Sequence, residues 1–234
     1  MNIALSFAAE KELEAGEISL KYGFELNQNI LPRLNLTADR LELLINGFKP
    51  LFVDILGNIN RRKDQIRQQG VIKACMIGKD IKILDLTAGW GRDSSLLASL
   101  GAHVLMLERN PMMAALLLNG LERFANSSKF KSGSLNLLYV DAKNYLQELS
   151  SSDYPDVIYI DPMHPVRQKS ALVKKDMQSL QLLIGADIDA MALISLAIGK
   201  AKKRVVVKWP QNLQPMLQPK QSISGSTVRF DLYF

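Results

Sequence analysis

The chain has 234 residues, 47% of them hydrophobic and 22% charged, with 29 Lys and Arg against 23 Asp and Glu for a formal net charge of +6. This is the composition of an ordinary globular protein, expected as one main domain with an appendage, and the basic excess raises the odds of a polyanionic partner without establishing one. No apolar stretch approaches the roughly 20 residues needed to span a bilayer, and Met1-Asn2-Ile3-Ala4 lacks the basic start of a signal peptide, so a cytoplasmic location is expected.

One cysteine, Cys75, forms no internal disulfide, and His103 and His164 are the only histidines, so no zinc-ligand set is expected. Cys75 reads as a small packed side chain. Residues 1–75 read as a small α+β extension. Leu41 to Ile45 and Leu51 to Ile55, separated by Asn46-Gly47-Phe48-Lys49-Pro50, predict a β-hairpin, and a helix is expected from about Asn58 to Met76. Arg61, Arg62 and Lys63 on that helix form a basic cluster suited to phosphates or simply to water.

Residues 76–234 alternate short β-rich runs with helical segments, the signature of an α/β domain with a parallel sheet. The first run, Ile81 to Leu86, ends in Thr87-Ala88-Gly89-Trp90-Gly91 before a helix over 92–100. Gly89 and Gly91 would let a ligand approach the backbone, with Asp85 at the end of the strand. The second run, His103 to Glu108, places Glu108 where it can accept from two ribose hydroxyls. A third glycine of the dinucleotide fingerprint is missing, and Asp93 would repel a pyrophosphate at the helix start. Arg92 and Asp93 match instead the carboxylate and ammonium of a methionine moiety, which favours S-adenosylmethionine over NAD. Asp93 could equally be stabilising its helix N-terminus.

Asn110-Pro111 is a start signal for a helix over 111–124. The run Leu135 to Val140 ends at Asp141, whose carboxylate can accept from an adenine amino group while the Ala142 amide serves a ring nitrogen. Asp141 can also cap a helix over 142–150. The fourth run, Asp156 to Ile160, delivers Asp161-Pro162-Met163-His164-Pro165 to the same sheet edge. An exocyclic base amine is a weak nucleophile because its lone pair is delocalised. A carboxylate such as Asp161, held by Pro162, can accept its N–H and turn the lone pair toward a methyl donor, and His164 can stack on a base. Read without the cofactor pattern, Asp161-Pro162 would be an ordinary turn.

Arg167, Lys169, Lys174 and Lys175 follow, in position to hold phosphates of a structured RNA. A helix over 187–203, a strand from Arg204 to Lys208, a loop rich in Pro, Gln and Ser, and a strand from Thr227 to Tyr233, antiparallel at the sheet edge, complete the expectation.

The stretches Leu84 to Asp93, Met106 to Pro111 with Ala114 to Leu117, Tyr159 to Met163, Gln168 to Lys175, Lys203 to Lys208 and Arg229 to Tyr233 together closely resemble the RsmJ family of bacterial small-subunit ribosomal RNA guanine-N2 methyltransferases. Weaker similarity at Leu41 to Leu43, Phe52 to Asp54 and Arg61 to Lys63 extends it over most of the chain. The resemblance implies a Rossmann-like class I S-adenosylmethionine-dependent methyltransferase with a small N-terminal α+β extension. It also implies methylation of the N2 amine of a 16S rRNA guanosine, yielding S-adenosylhomocysteine, with cofactor contacts at Arg92, Asp93, Glu108, Arg109, Asp141, Ala142 and Asp161. The chain departs from the family at His164, usually Phe, and at Trp209, usually Arg. Two alternatives stay open: a methyltransferase for another amine acceptor, and a non-catalytic RNA-binding or assembly protein of the same fold.

Overall fold

The computed structural model describes residues 3–60, 70–78, 80–127, 130, 132–163 and 189–234. The first part of the chain is richer in strand than its sequence suggests. β1 (Ala4–Phe7) leads into α1 (Glu12–Tyr22), and β2 (Glu25–Leu26), β3 (Arg33–Leu36) and β4 (Leu41–Leu44) follow. They form a four-stranded sheet of order β2-β1-β3-β4, in which β1 runs parallel to β2 and β3, and β4 antiparallel to β3.

The expected hairpin is not built. β4 pairs with β3, and of the proposed second strand only Leu51 bridges back, to Leu43. The local reason is Asp54. Its carboxylate accepts from the Gly57 amide at 2.8 Å and turns the chain into α2 (Ile55–Asn60) before a strand can extend. Of the helix expected over 58–76, the described parts are the end of α2 and α3 (Gly70–Ala74). Arg61, Arg62 and Lys63 lie outside the described residues.

The second sheet is built as the alternation predicts. β5 (Lys82–Asp85), α4 (Arg92–Ser99), β6 (His103–Glu108), α5 (Pro111–Ser127), β7 (Ser134–Tyr139), α6 (Ala142–Glu148), β8 (Val157–Ile160), α7 (Ala190–Ala197) and β9 (Arg204–Pro210) succeed one another, and all five strands are parallel. Asn110 caps α5, its side-chain oxygen accepting from the amides of Met112 and Met113 at 3.0 and 3.2 Å. α7 stops well short of residue 203. Gly199 turns left-handed at φ +88°, and the amides of Lys202 and Lys203 donate to Pro155 and Asp156 carbonyls, pinning that segment to the start of β8.

β10 (Gln221–Ser224) and β11 (Val228–Tyr233) complete a seven-stranded sheet of order β10-β11-β9-β8-β5-β6-β7. The final strand is antiparallel, as expected, but it is not the edge. β10 covers it, formed from the loop segment that carries no apolar alternation.

Period-two alternation splits the core into two layers. Ile83, Tyr159 and Val206 face one side of the sheet, and Leu84, Ile158 and Val205 the other. The first layer runs without a break into the N-terminal sheet through Leu5, Leu34 and Leu43. α5 makes that junction: Asn119 Oδ1 accepts from the Leu41 amide at 3.0 Å, and Gly120 lets Val53 approach so closely that a Cβ there would lie 2.6 Å from its Cγ1. Cys75 is fully buried in this layer, as its apolar neighbours predict.

One charged pair sits inside the packing. Arg229, 8% exposed, donates through Nε to Asp231, 1% exposed, at 2.8 Å, and its Nη1 caps the carbonyls of Pro210, Gln211 and Leu213. Truncating the acid strands a guanidinium in a low-dielectric interior. Asp231→Ala is expected to lower unfolding free energy by about 3–5 kcal/mol in urea melts; a loss below about 1 kcal/mol would show that Arg229 is held by its carbonyls alone.

Candidate active site

β5 and β8 are neighbours although far apart in sequence, so the strand order reverses between them. The carboxyl ends flanking that reversal open a cavity of about 570 Å³, inside the range of about 300–1,000 Å³ typical of small-molecule sites. Its floor is the turn after β5. Asp85, 2% exposed, accepts from the Thr87 amide and the Ser94 hydroxyl, which ties the turn to α4 from below. Gly89 and Gly91 take left-handed conformations, φ +52° and +63°, and a Cβ on Gly91 would sit 2.9 Å from Leu117 Cδ2. Both glycines are therefore required by backbone shape.

Glu108 closes β6 with its carboxylate held from two sides: Oε2 accepts from the Gly89 amide at 3.0 Å and Oε1 from the Asn110 amide at 2.8 Å. It cannot swing away from the cavity wall. Asp141 caps α6 through Oδ1, which accepts from the amides of Lys143 and Asn144 at 2.9 and 3.2 Å, while Oδ2 lies 3.8 Å from Arg109 Nη1. Capping and cavity lining thus coexist in one side chain, and Ala142 lies beside it.

Arg109 is fixed by a residue that no local pattern marks. Asp189 accepts from both of its terminal nitrogens at 2.8 and 3.2 Å and from Lys143 Nζ at 2.8 Å. The hydrogen bonds from Arg109 and Lys143 hold the Asp189 carboxyl down at about 2.

At the end of β8, the Asp161 amide donates to Thr87 Oγ1 at 2.7 Å, so the two loops are sewn together. The Asp161 carboxylate accepts from Lys208 Nζ at 2.7 Å, and the same ammonium reaches Asp93 Oδ2 at 2.9 Å. Asp93 also accepts from the Tyr159 hydroxyl at 2.7 Å. Burial would lower the Lys208 pKa, but Asp161 and Asp93 outweigh it and hold the ammonium above the ordinary lysine value.

The structure therefore brings together Asp85, Gly89, Arg92, Asp93, Glu108, Arg109, Asp141, Ala142, Asp161 and Pro162 around one cavity, with Gly91 in the turn beneath. His164, Arg167, Lys169, Lys174 and Lys175 lie outside the described residues. Sequence reasoning missed Lys208, Tyr159, Thr87 and Asp189 as site residues. Lys208 did carry a signal: a cation inside the apolar run of β9 needs a buried partner.

The wall has a chemical bias. Six carboxylates (Asp85, Asp93, Glu108, Asp141, Asp161, Asp189) face four cationic side chains (Arg92, Arg109, Lys143, Lys208). That excess suits a ligand with positive charge and a ribose, and it disfavours a pyrophosphate. The residues present thus fit S-adenosylmethionine. Asp85 is raised to about 7, because burial outweighs its bonds from Ser94 and Thr87.

A folded-state pKa above the unfolded one favours the protonated acid in the native state, so stability is lost as pH climbs from about 4 to 7 and is level above. Relative to Asp85→Asn, the wild-type chain should lose up to about 4 kcal/mol across that window. Denaturant midpoints at matched pH measure it, and a constant difference between the two proteins would show that Asp85 ionises normally.

Known proteins resemble this chain in sequence and fold. A family profile described as "Putative SAM-dependent methyltransferase" matches residues 17–234. A ribosomal RNA small subunit methyltransferase J from Legionella pneumophila is 52% identical over 210 residues, spanning 89% of this chain and 86% of that protein. One from Coxiella burnetii is 45% identical over 207 residues, 84% and 81% of the two chains. A solved structure of a SAM-dependent methyltransferase from Neisseria gonorrhoeae superposes with a TM-score of 0.77 at 26% identity, covering 98% of this chain and 95% of its own. With a family profile over residues 17–234 and relatives of this closeness along most of its length, the chain belongs to the ribosomal RNA small subunit methyltransferase J family of S-adenosylmethionine-dependent methyltransferases.

Proposed function

We propose that the chain transfers a methyl group from S-adenosylmethionine to the exocyclic N2 amine of a guanosine in 16S ribosomal RNA. The observation that carries this reading is the placement of Asp161 at the rim of the cavity, fixed through its amide by Thr87 and through its carboxylate by Lys208.

When bound, S-adenosylmethionine supplies a methyl group on a cationic sulfur, which leaves as a neutral thioether. Glu108, oriented by two amides, would accept from the ribose hydroxyls. Asp141 and the Ala142 amide would serve the adenine edge, beside Arg109. Asp85 supports the turn, whose Gly89 and Gly91 admit the ligand close to the backbone. Arg92 and Asp93 would receive the charged methionine end.

Asp161 acts on the acceptor. Its carboxylate accepts an N–H of the amine, which turns the nitrogen lone pair out of conjugation and toward the donor, and it takes up the proton that the methylated nitrogen sheds. Pro162 restricts the loop, so the carboxylate keeps that aim. His164 is assigned to stacking on the base. Arg61, Arg62, Lys63, Arg167, Lys169, Lys174 and Lys175 are assigned to RNA phosphates, and the N-terminal region would help dock the RNA.

Incubation with labelled S-adenosylmethionine and small subunits or 16S rRNA from cells lacking the protein, followed by nucleoside analysis, is expected to place the label in N2-methylguanosine. Label in a different nucleoside, or none with the cofactor bound, would overturn the assignment. Asp161→Ala should reduce kcat by about 10²–10⁴ in a protein that still folds cooperatively, with a lowered melting transition because Lys208 keeps only Asp93; ordinary turnover by that variant would remove Asp161 from the chemistry.

A further inference from the structure

Lys208 is the least expected side chain in the site. It occupies the middle of β9 between Val207 and Trp209, both buried, and on the same sheet face as the buried Val206. A lone ammonium on a central strand costs several kcal/mol to desolvate, and an aliphatic residue would pack there with no such penalty. Packing therefore does not account for a lysine at this position.

Its contacts join the two halves of the cavity. Lys208 Nζ lies 2.7 Å from Asp161, on the acceptor side, and 2.9 Å from Asp93, on α4. The charged and titratable groups packed around this centre include Asp85 from β5, Arg92 and Asp93 from α4, Tyr159 and Asp161 from β8 and its exit, and the buried Cys75 after α3. Lys208 Nζ thus lies between two carboxylates, one of which also accepts from the Tyr159 hydroxyl, with Asp85 behind them. Asp93 is nearly covered, with its side chain 10% exposed, whereas the Asp161 side chain is 34% exposed at the rim.

We propose that Lys208 is a positioning residue of methyl transfer: its ammonium keeps Asp161 ionised and aimed, and yokes it to Asp93 so that the acceptor and methionine sides of the cavity hold one fixed geometry. The proposal rests on the reading that Asp161 faces the acceptor amine. Without the ammonium, Asp93 and Asp161 repel one another with Asp85 behind them, and the pair retains a proton at neutral pH. A protonated pair can no longer accept reliably from the amine, so turnover is lost until higher pH strips the proton.

The test compares Lys208→Met with wild type on an RNA substrate that wild type methylates; absence of wild-type methylation would refute the parent reading instead. The variant should show kcat about a hundredfold lower at neutral pH, an acid limb displaced upward by one pH unit or more, and partial recovery near pH 9. Because Asp93 loses the ammonium as well, the variant's calorimetric Kd for S-adenosylmethionine should weaken, but by less than kcat falls, since Asp161 bears the larger share of the change. A folded variant with wild-type kcat, or with a lowered kcat and an unmoved pH profile, would overturn the proposal.

If Lys208→Met does not fold, Lys208→Arg decides. A planar guanidinium cannot set one nitrogen between both carboxylates, so kcat should drop at least about tenfold with the acid limb left in place, and unchanged turnover would overturn the role. The free protein offers a readout that needs no turnover. During reductive methylation with formaldehyde and cyanoborohydride, followed by peptide mass spectrometry, Lys208 should react at least about tenfold more slowly than exposed Lys202. Equal rates would show that the ammonium is not held between the acids.

Discussion

The ammonium of Lys208 between Asp93 and Asp161 is the constraint on which the rest of the site depends. In a cleft of low effective dielectric, neither the cation nor the two anions can be left alone, because each would bear an uncompensated desolvation cost of several kcal/mol. Satisfied together, they tie β9 to α4 and to the end of β8 at separations of 115 and 47 residues along the chain. The Tyr159 hydroxyl adds a fourth member, and the Asp161 amide continues the connection into the turn after β5 through Thr87. The glycine turn, the acidic strand end and the acceptor loop consequently form one hydrogen-bonded assembly.

A second clamp works on the opposite wall by the same physics with more water. Arg109 and Lys143 meet on Asp189, drawing the ends of β6, α6 and α7 together. These ion pairs are part-exposed, so each contributes little stability by itself. Their effect is to set side-chain direction, which keeps Arg109 near Asp141 and the cavity. The surplus of carboxylates that remains gives the cavity its preference for a cationic ligand, a selectivity that follows from charge more than from shape.

The N-terminal sheet is integrated by packing. Its buried leucines join the same apolar layer as α4 and α5, and Gly120 of α5 admits Val53 at a distance no side chain at that position would allow. Arg123 donates to the Val53 carbonyl on the same helix face, so α5 is read by both sheets at once. Among the described residues, no helix is long and apolar enough to cross a membrane.

Much of this was legible in the residues. The alternation of short β-rich runs with helical segments announced the five parallel strands because a parallel pair needs a crossover between its strands, and Asn110-Pro111 announced α5 because a cap is a local interaction. Gly89, Gly91, Glu108, Asp141 and Asp161 could be placed at strand ends for the same reason: their positions follow from spacing within a single βα unit. β1, β2 and β3 escaped notice because two to four residues are too few to establish a period, whereas β4 was expected within Leu41 to Ile45. Leu51 to Ile55 looks like a strand in sequence, but Asp54 caps a helix that begins at Ile55, and Gln221 to Ser224 shows no apolar alternation because β10 is an exposed edge. Sequence by itself determined the class of fold, the glycine turn after β5 and the proline-bearing exit of β8, all of which rest on interactions among near neighbours in the chain. Only the tertiary structure decided which strand pairs with β4, what covers β11, and that Lys208 and Asp189 belong to the site, since each depends on charges or hydrogen-bonding edges brought together by folding from distant segments.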